Sequence, residues 1–111
     1  ARILVLGLTF KENCPDLRNT KVVDIVSELK EYGCNVDVFD PWISAKEAFD
    51  EYQIAPIEQP KNNTYDGIIL AVAHHQFKTL GIKKIRALGK EKHVLYDLKY
   101  VFSADETDLR L

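Results

Sequence analysis

The sequence predicts an α/β fold: a three-layer sandwich in which a parallel sheet carries helices on both faces. Three observations point there. Two continuous apolar runs, residues 3–8 and 67–73, have the composition of strands buried on both faces. Between them, Val22, Ile25, Val26 and Leu29 fall on one helical face. Strand-like and helix-like segments then alternate to the end of the chain, the order that builds a Rossmann-like parallel sheet with right-handed crossovers.

The elements follow in order. The first strand, 3–8, is interrupted only by Gly7, and a polar stretch containing Pro15 follows it. A helix starts near residue 20, with Asn19 or Thr20 as its cap, Asp24 and Lys30 placed to suit its dipole, and Gly33 at the left-handed stop. Residues 34–40 alternate polar and apolar as a second strand, and Pro41 ends it. Ser44-Ala45-Lys46-Glu47 has the capping-box pattern and opens a second helix near 44, carrying Ala48, Phe49 and Tyr52. Residues 54–57 offer a short strand broken by Pro56, and 58–65 read as a loop or one helical turn. The strand at 67–73 is followed by a helical region through Phe77, Leu80, Ile82, Ile85 and Leu88, with Gly81 as its weak point and Gly89 as its stop. A last strand covers 94–98, and 103–111 is an acidic, weakly patterned tail.

A length of 111 residues suits one core. With 46% hydrophobic residues, disorder is excluded; no apolar run reaches the roughly 20 residues that span a bilayer. A formal charge of −2 argues against a nucleic-acid footprint. Two cysteines, Cys14 and Cys34, suit free thiols in a reducing, cytoplasmic setting. The chain opens directly on a strand and holds no Met, as expected for one domain of a larger protein.

Ligands of such sheets bind beyond the carboxyl ends of the strands. That edge is built here from 9–19, 40–42, 74–75 and 99–100. The first loop lacks G-x-G-x-x-G, so no standard dinucleotide cradle is present. It carries Lys11, Arg18 and Lys21 near a helix N-terminus, which suits either an anion site or a solvated loop paired with Glu12 and Asp16. Asp40 is placed to hold a ribose or to make an Asp-Pro turn; Trp42 could stack on a base or pack over the next helix. Neighbouring His74 and His75 point to opposite faces if the strand continues through them, which makes a poor metal pair; the alternative for His74 is a helix-capping or hydrogen-bonding role. Cys14 has no base placed near it, and Cys34 reads as packed. Lys83, Lys84, Arg86, Lys90 and Lys92 interleave with Ile82, Ile85 and Leu88 as a solvated face.

Three motifs together carry a resemblance over almost the whole chain. Residues 6–20, Leu-Gly-Leu-Thr-Phe-Lys-Glu-Asn-Cys-Pro-Asp-Leu-Arg-Asn-Thr, resemble the opening of the C-terminal domain of the UDP-glucose/GDP-mannose dehydrogenase family. Ala71-Val72-Ala73-His74 with Phe77 is similar to a second motif of that domain, and Asp97-Leu98-Lys99 occupies the place of a third. The resemblance implies a nucleotide-sugar-binding domain at 1–102, cut from a larger enzyme, and a tail at 103–111. Such enzymes oxidise the C6 hydroxyl of a nucleotide sugar to a carboxylate. NAD is held mainly by a missing N-terminal domain, and a missing central segment makes homodimer contacts.

By the same resemblance Phe10 and Lys11 contact the UDP-sugar and Arg18 reaches NAD. Lys99 stands where many members have the arginine of Asp-Gly-Arg-Asn, a point charge in place of a planar fork. Asp-Leu-Lys and the ending Asp108-Leu109-Arg110-Leu111 resemble the branch that acts on UDP-N-acetylhexosamines for bacterial surface polysaccharides. The family's catalytic cysteine lies in a Gly-Gly-x-Cys-like segment that this chain lacks, so no catalytic residue and no metal are expected in it. The competing classes are a stand-alone flavodoxin-like signalling module, which would want an acidic pair near the first strand, and a plain interaction domain.

Overall fold

The computed structural model describes residues 1–9, 21–98 and 108–110. Its elements are β1 (Arg2–Leu6), α1 (Val22–Glu31), β2 (Asn35–Phe39), α2 (Ala45–Tyr52), β3 (Tyr65–Leu70), α3 (His75–Leu80), α4 (Ile82–Arg86), β4 (Gly89–Asp97) and β5 (Leu109–Arg110). The strands form one sheet in the order β2-β1-β3-β4-β5, and every pairing is parallel. The α/β class and the parallel sheet are as the sequence predicts.

Alternation along β1 separates two cores. Val5 packs with Val38, Ala71 and Val72 and with Val22 and Val26 of α1, while Ala48 of α2 and Ile54 join the same cluster. Leu4 and Leu6 pack with Ile68, Leu70 and Leu95 and with Phe77 of α3 and Ile85 of α4. Burial on both sides explains why β1 and β3 read as unbroken apolar runs.

The helix signals behave as their chemistry requires. Gly33 follows α1 at φ 84°, where a side chain would be strained. The expected caps Asn19 and Thr20 lie outside the described residues; the position before α1 is Lys21, which makes no side-chain cap. Ser44 Oγ accepts the Glu47 amide at 3.1 Å and so caps α2.

Several boundaries differ from the sequence expectation. β3 starts at Tyr65 and ends at Leu70, so its core contribution begins inside the segment read as a loop. Residues 54–57 form no strand; Ile57 N–H makes one bond to the Val38 carbonyl at 2.8 Å, and Ile54 serves the core as a loop residue. The helical region after His74 is two short helices, because Gly81 turns the chain at φ 87°. Gly89 does not stop a helix but begins β4, so Lys90 and Lys92 lie on a strand. Within the tail, residues 108–110 are placed against the sheet, which its pattern does not suggest. Leu109 and Arg110 pair with Tyr96 and Asp97, and Asp108 Oδ2 anchors them by accepting the Leu95 amide at 2.7 Å and an Arg86 guanidinium N–H at 3.2 Å.

Candidate functional site

The register places the ends of three strands side by side, with Leu6 opposite Phe39 of β2 and Leu70 of β3. The chain leaves β1 through Gly7, whose φ is 101° and whose N–H donates to the Phe39 carbonyl at 2.8 Å. A Cβ there would stand 2.6 Å from Val72 Cβ, so the tight exit requires glycine. Leu8 and Thr9 then turn their amides towards β2.

Asp40, one residue past β2, receives them. Its Oδ2 accepts the Leu8 amide at 2.7 Å and the Thr9 amide at 3.1 Å, and its Oδ1 accepts the Trp42 amide at 2.8 Å. From beyond β3, His74 Nε2 lies 2.9 Å from the same Oδ2 and 3.0 Å from Thr9 Oγ1. Thr9, Asp40 and His74 are all buried. Burial by itself would raise the Asp40 carboxyl, but the hydrogen bonds from His74 and from the Leu8 and Trp42 amides outweigh it and hold the group below the usual carboxylate value. Since a carboxylate only accepts, the proton on Nε2 is assigned to the side facing Asp40.

The open alternatives at Asp40, Trp42 and His74 are thereby resolved in part. Asp40 does make the turn, but its carboxylate also faces inward and is occupied by protein donors, so it is not presented to a ribose. Trp42 packs over α3 rather than α2: its indole N–H donates to Gln76 Oε1 at 2.9 Å, and its ring lies 6.1 Å from that of His74 and 6.0 Å, edge-on, from that of His75. His74 stands at the N-cap position of α3, yet its side chain makes no cap bond and serves the Asp40 network instead. The two histidines are off the strand, β3 having ended at Leu70; His74 is buried and His75 exposed. Among the described residues, no three His, Cys, Asp or Glu side chains converge on a metal position.

A largely apolar cleft of about 500 Å³ lies next to the network. Leu6 and Phe39 at the strand ends, Gln76, Phe77 and Leu80 of α3, and Lys84 of α4 are among its walls. The basic cluster divides: Arg86 pairs with Asp108, Lys90 pairs with Asp66 at 3.2 Å at the opposite, amino end of the sheet, and Lys83 and Lys84 are exposed.

Phe10, Lys11, Cys14, Arg18 and Lys99 lie outside the described residues. Thr9, before Phe10, and Leu98, before Lys99, are described. Thr9 sits in the buried network, and the Leu98 amide donates to the Leu70 carbonyl at 3.1 Å, beside the exit of β3. Sequence reasoning placed Thr9 at the start of the carboxyl edge without giving it a role, and gave no sign of the inward turn of Asp40. The available signal was a set of polar residues, each within four positions of the end of a parallel strand. No described helix is long and apolar enough to cross a membrane.

Comparison with known proteins identifies the family. Residues 4–104 match the model of the UDP-glucose/GDP-mannose dehydrogenase family, UDP binding domain. Over its full length the chain is 66% identical to a UDP-N-acetyl-D-glucosamine 6-dehydrogenase of Pseudomonas aeruginosa, and over 98% of its length it is 57% identical to one of Salmonella typhi. It spans about a quarter (26%) of each relative. Among solved structures, a UDP-glucose dehydrogenase from the archaeon Pyrobaculum islandicum superposes with a TM-score of 0.73 at 28% identity, covering 98% of this chain and 24% of that one.

Proposed function

The chain belongs to the UDP-glucose/GDP-mannose dehydrogenase family as its UDP-binding domain, and from that premise we propose that it holds the nucleotide sugar of an NAD-dependent UDP-sugar 6-dehydrogenase. The substrate is a UDP-N-acetylhexosamine, oxidised at C6 to a uronic acid for bacterial surface polysaccharide. The observation that carries this reading is the 66% identity, along the whole chain, to a UDP-N-acetyl-D-glucosamine 6-dehydrogenase.

In this reading Phe10, Lys11 and Lys99 contact the UDP-sugar and Arg18 reaches NAD. Lys11 and Lys99 each supply a point charge, whereas Arg18 brings a fork that can hold two phosphate oxygens. Bound NAD accepts the hydride. This domain is poorly suited to cradle it alone: the glycine fingerprint is absent and the carboxylate that would meet a ribose is already engaged. NAD binding therefore falls mainly to the N-terminal domain of the complete enzyme, and the catalytic cysteine to a Gly-Gly-x-Cys-like segment that precedes this domain. The isolated 111 residues are expected to be inactive. The complete enzyme is read as a cytoplasmic homodimer.

Steady-state kinetics of the full-length enzyme test the assignment. Lys11→Ala should raise KM for the UDP-sugar and Arg18→Ala KM for NAD, each by about ten- to over a hundredfold, from the loss of a charge-assisted hydrogen bond worth roughly 1.5–3 kcal/mol. Arg18→Lys should recover part of the loss. If both variants raised KM for one ligand only, the division of roles would be wrong. If neither changed either KM, the loop would be a solvated connector.

A further inference from the structure

We propose that the cleft beside α3 and α4 is a second small-molecule site, shaped for a flat aromatic ring that carries a hydrogen-bond acceptor on its edge and one negative group, the chemistry of a nucleoside monophosphate. The UDP-sugar is read above as held at the strand ends and their loops; this cleft lies on the sheet face.

The cleft exists because of how the chain crosses the sheet. α1 and α2 both pack on the Val5 side, and no helix lies between Tyr52 and Tyr65. The connection from β2 to β3 passes the Leu6 side as a loop, with Ile57 packed against that core. A crossover helix would fill the space that this loop leaves open. What remains is about 500 Å³, within the range of pockets that hold small ligands. It runs from Leu6 and Phe39 at the carboxyl end to Asn62 and Leu88, where β3 begins. Leu80 on its wall is 39% exposed, an apolar surface left open to solvent.

The walls define what fits. Phe39 and Phe77 meet at 54° with centroids 6.3 Å apart, so a flat ring stacked on one meets the other at the same tilt, and both are favourable aromatic contacts. The polar groups are few and of defined sense. An indole N–H can only donate, so Gln76 accepts that of Trp42 with Oε1 at 2.9 Å. The side-chain NH₂ of Gln76 is thereby left as a donor at the cleft wall, engaged by no other described residue. A wholly apolar occupant would cut that donor off from water unmet, whereas an acceptor on a ring edge satisfies it. Charge sets the other requirement. Among the described residues no Asp or Glu lines the cleft, and exposed Lys84 forms no ion pair. A cation would find only a like charge there, while an anion gains a partner.

Chemical-shift mapping on the isotope-labelled 111-residue chain tests the proposal, with adenosine 5′-monophosphate as the probe and adenosine and ribose 5-phosphate as its parts. Thermal unfolding is recorded for every variant. The monophosphate is expected to give saturable shifts of the Gln76 side-chain amide and of the Leu80, Lys84 and Leu88 backbone amides. Adenosine is expected to shift the same signals with weaker affinity, and ribose 5-phosphate to leave them in place. Gln76→Glu keeps an acceptor for Trp42, removes the donor and adds a repelling charge; it should weaken the monophosphate about tenfold or more. Lys84→Ala removes an exposed charge and should weaken it about two- to fivefold, with adenosine unaffected. Should Gln76→Glu fail to fold, Lys84→Ala carries the test. Saturating UDP should leave the Kd of the monophosphate unchanged. No saturable shift at millimolar monophosphate in a folded chain would overturn the proposal. So would equal binding of ribose 5-phosphate, undiminished affinity in either folded variant, or displacement by UDP, which would make the cleft part of the uridine diphosphate site. If UDP shifted no signal while the monophosphate bound as described, it would be the functional reading that failed.

Discussion

The two ends of the sheet carry similar groups in different surroundings. At the amino end, Arg2 lies 3.4 Å from Asp37 and 5.6 Å above the Tyr65 ring, Tyr65 donates its hydroxyl proton to Asp37 at 2.7 Å, and Lys90 meets Asp66 at 3.2 Å. At the carboxyl end, His74 and Asp40 stand 2.9 Å apart. The distances are alike, but the side chains of Arg2 and Lys90 are about half exposed (48% and 49%) whereas those of His74 and Asp40 are fully buried. Water screens the Arg2 and Lys90 pairs and leaves them free to be lost, with the buried Tyr65 hydroxyl intermediate; the second set has no alternative partner in solvent. The amino end is decorated with charge, while the carboxyl end is organised by it.

Removing single groups should reproduce that order. Asp40→Ala should have the largest effect, about 3–5 kcal/mol, because it strands the Leu8, Thr9 and Trp42 amides without their acceptor. Denaturant midpoints with an unchanged slope would check it. Asp40 titrates below 3.8 in the fold, so its contribution is complete above the unfolded value and is lost as pH falls through the folded one. The gap between wild type and variant should close in acid. A loss under about 1 kcal/mol would put the carboxyl end on a par with an exposed ion pair.

Tyr65→Phe should come next, at about 0.5–1.5 kcal/mol for one hydrogen bond. Burial, then the hydrogen bond to Asp37, pushes the Tyr65 hydroxyl up to about 12 from 10.0. That stabilisation is present below pH 10 and is lost between about pH 10 and 12, when the unfolded phenol ionises first. The phenylalanine variant should lack this part of the alkaline loss. Lys90→Ala should be the smallest, a shift near the resolution of the measurement at low salt and absent at high salt. An effect of Lys90→Ala matching that of Asp40→Ala would erase the contrast.

The legible parts of the fold were those with an unambiguous physical signature. β1 and β3 stood out because both faces are apolar, and α1 because its face repeats at 3.6 residues. The start of β3 was hidden behind Asn62, Asn63 and Thr64, whose polarity outweighed one tyrosine. The first half of β4, Gly89-Lys90-Glu91-Lys92-His93, is mostly exposed and carries no apolar alternation. β5 has two residues, too few for a pattern. The buried network was illegible for another reason. Asp40 and His74 are 34 positions apart and meet only because β1 lies between β2 and β3. Knowing each residue's strand end was not enough without the strand order. The residues proposed to contact ligands, Phe10, Lys11, Arg18 and Lys99, came from motif resemblance, since two lysines, an arginine and a phenylalanine have no periodicity of their own.

The central claim is that the carboxyl end of this sheet is where a uridine diphosphate binds. Chemical-shift mapping of UDP onto the isotope-labelled chain tests it directly, and tolerates the weak affinity expected without the rest of the enzyme. The account predicts shifts of the Leu8, Thr9, Trp42, His75 and Gln76 amides that saturate with UDP, while Arg2, Asp66 and Lys90 at the amino end stay in place. Saturating shifts confined to the amino end, or none at millimolar UDP in a folded chain, would contradict it.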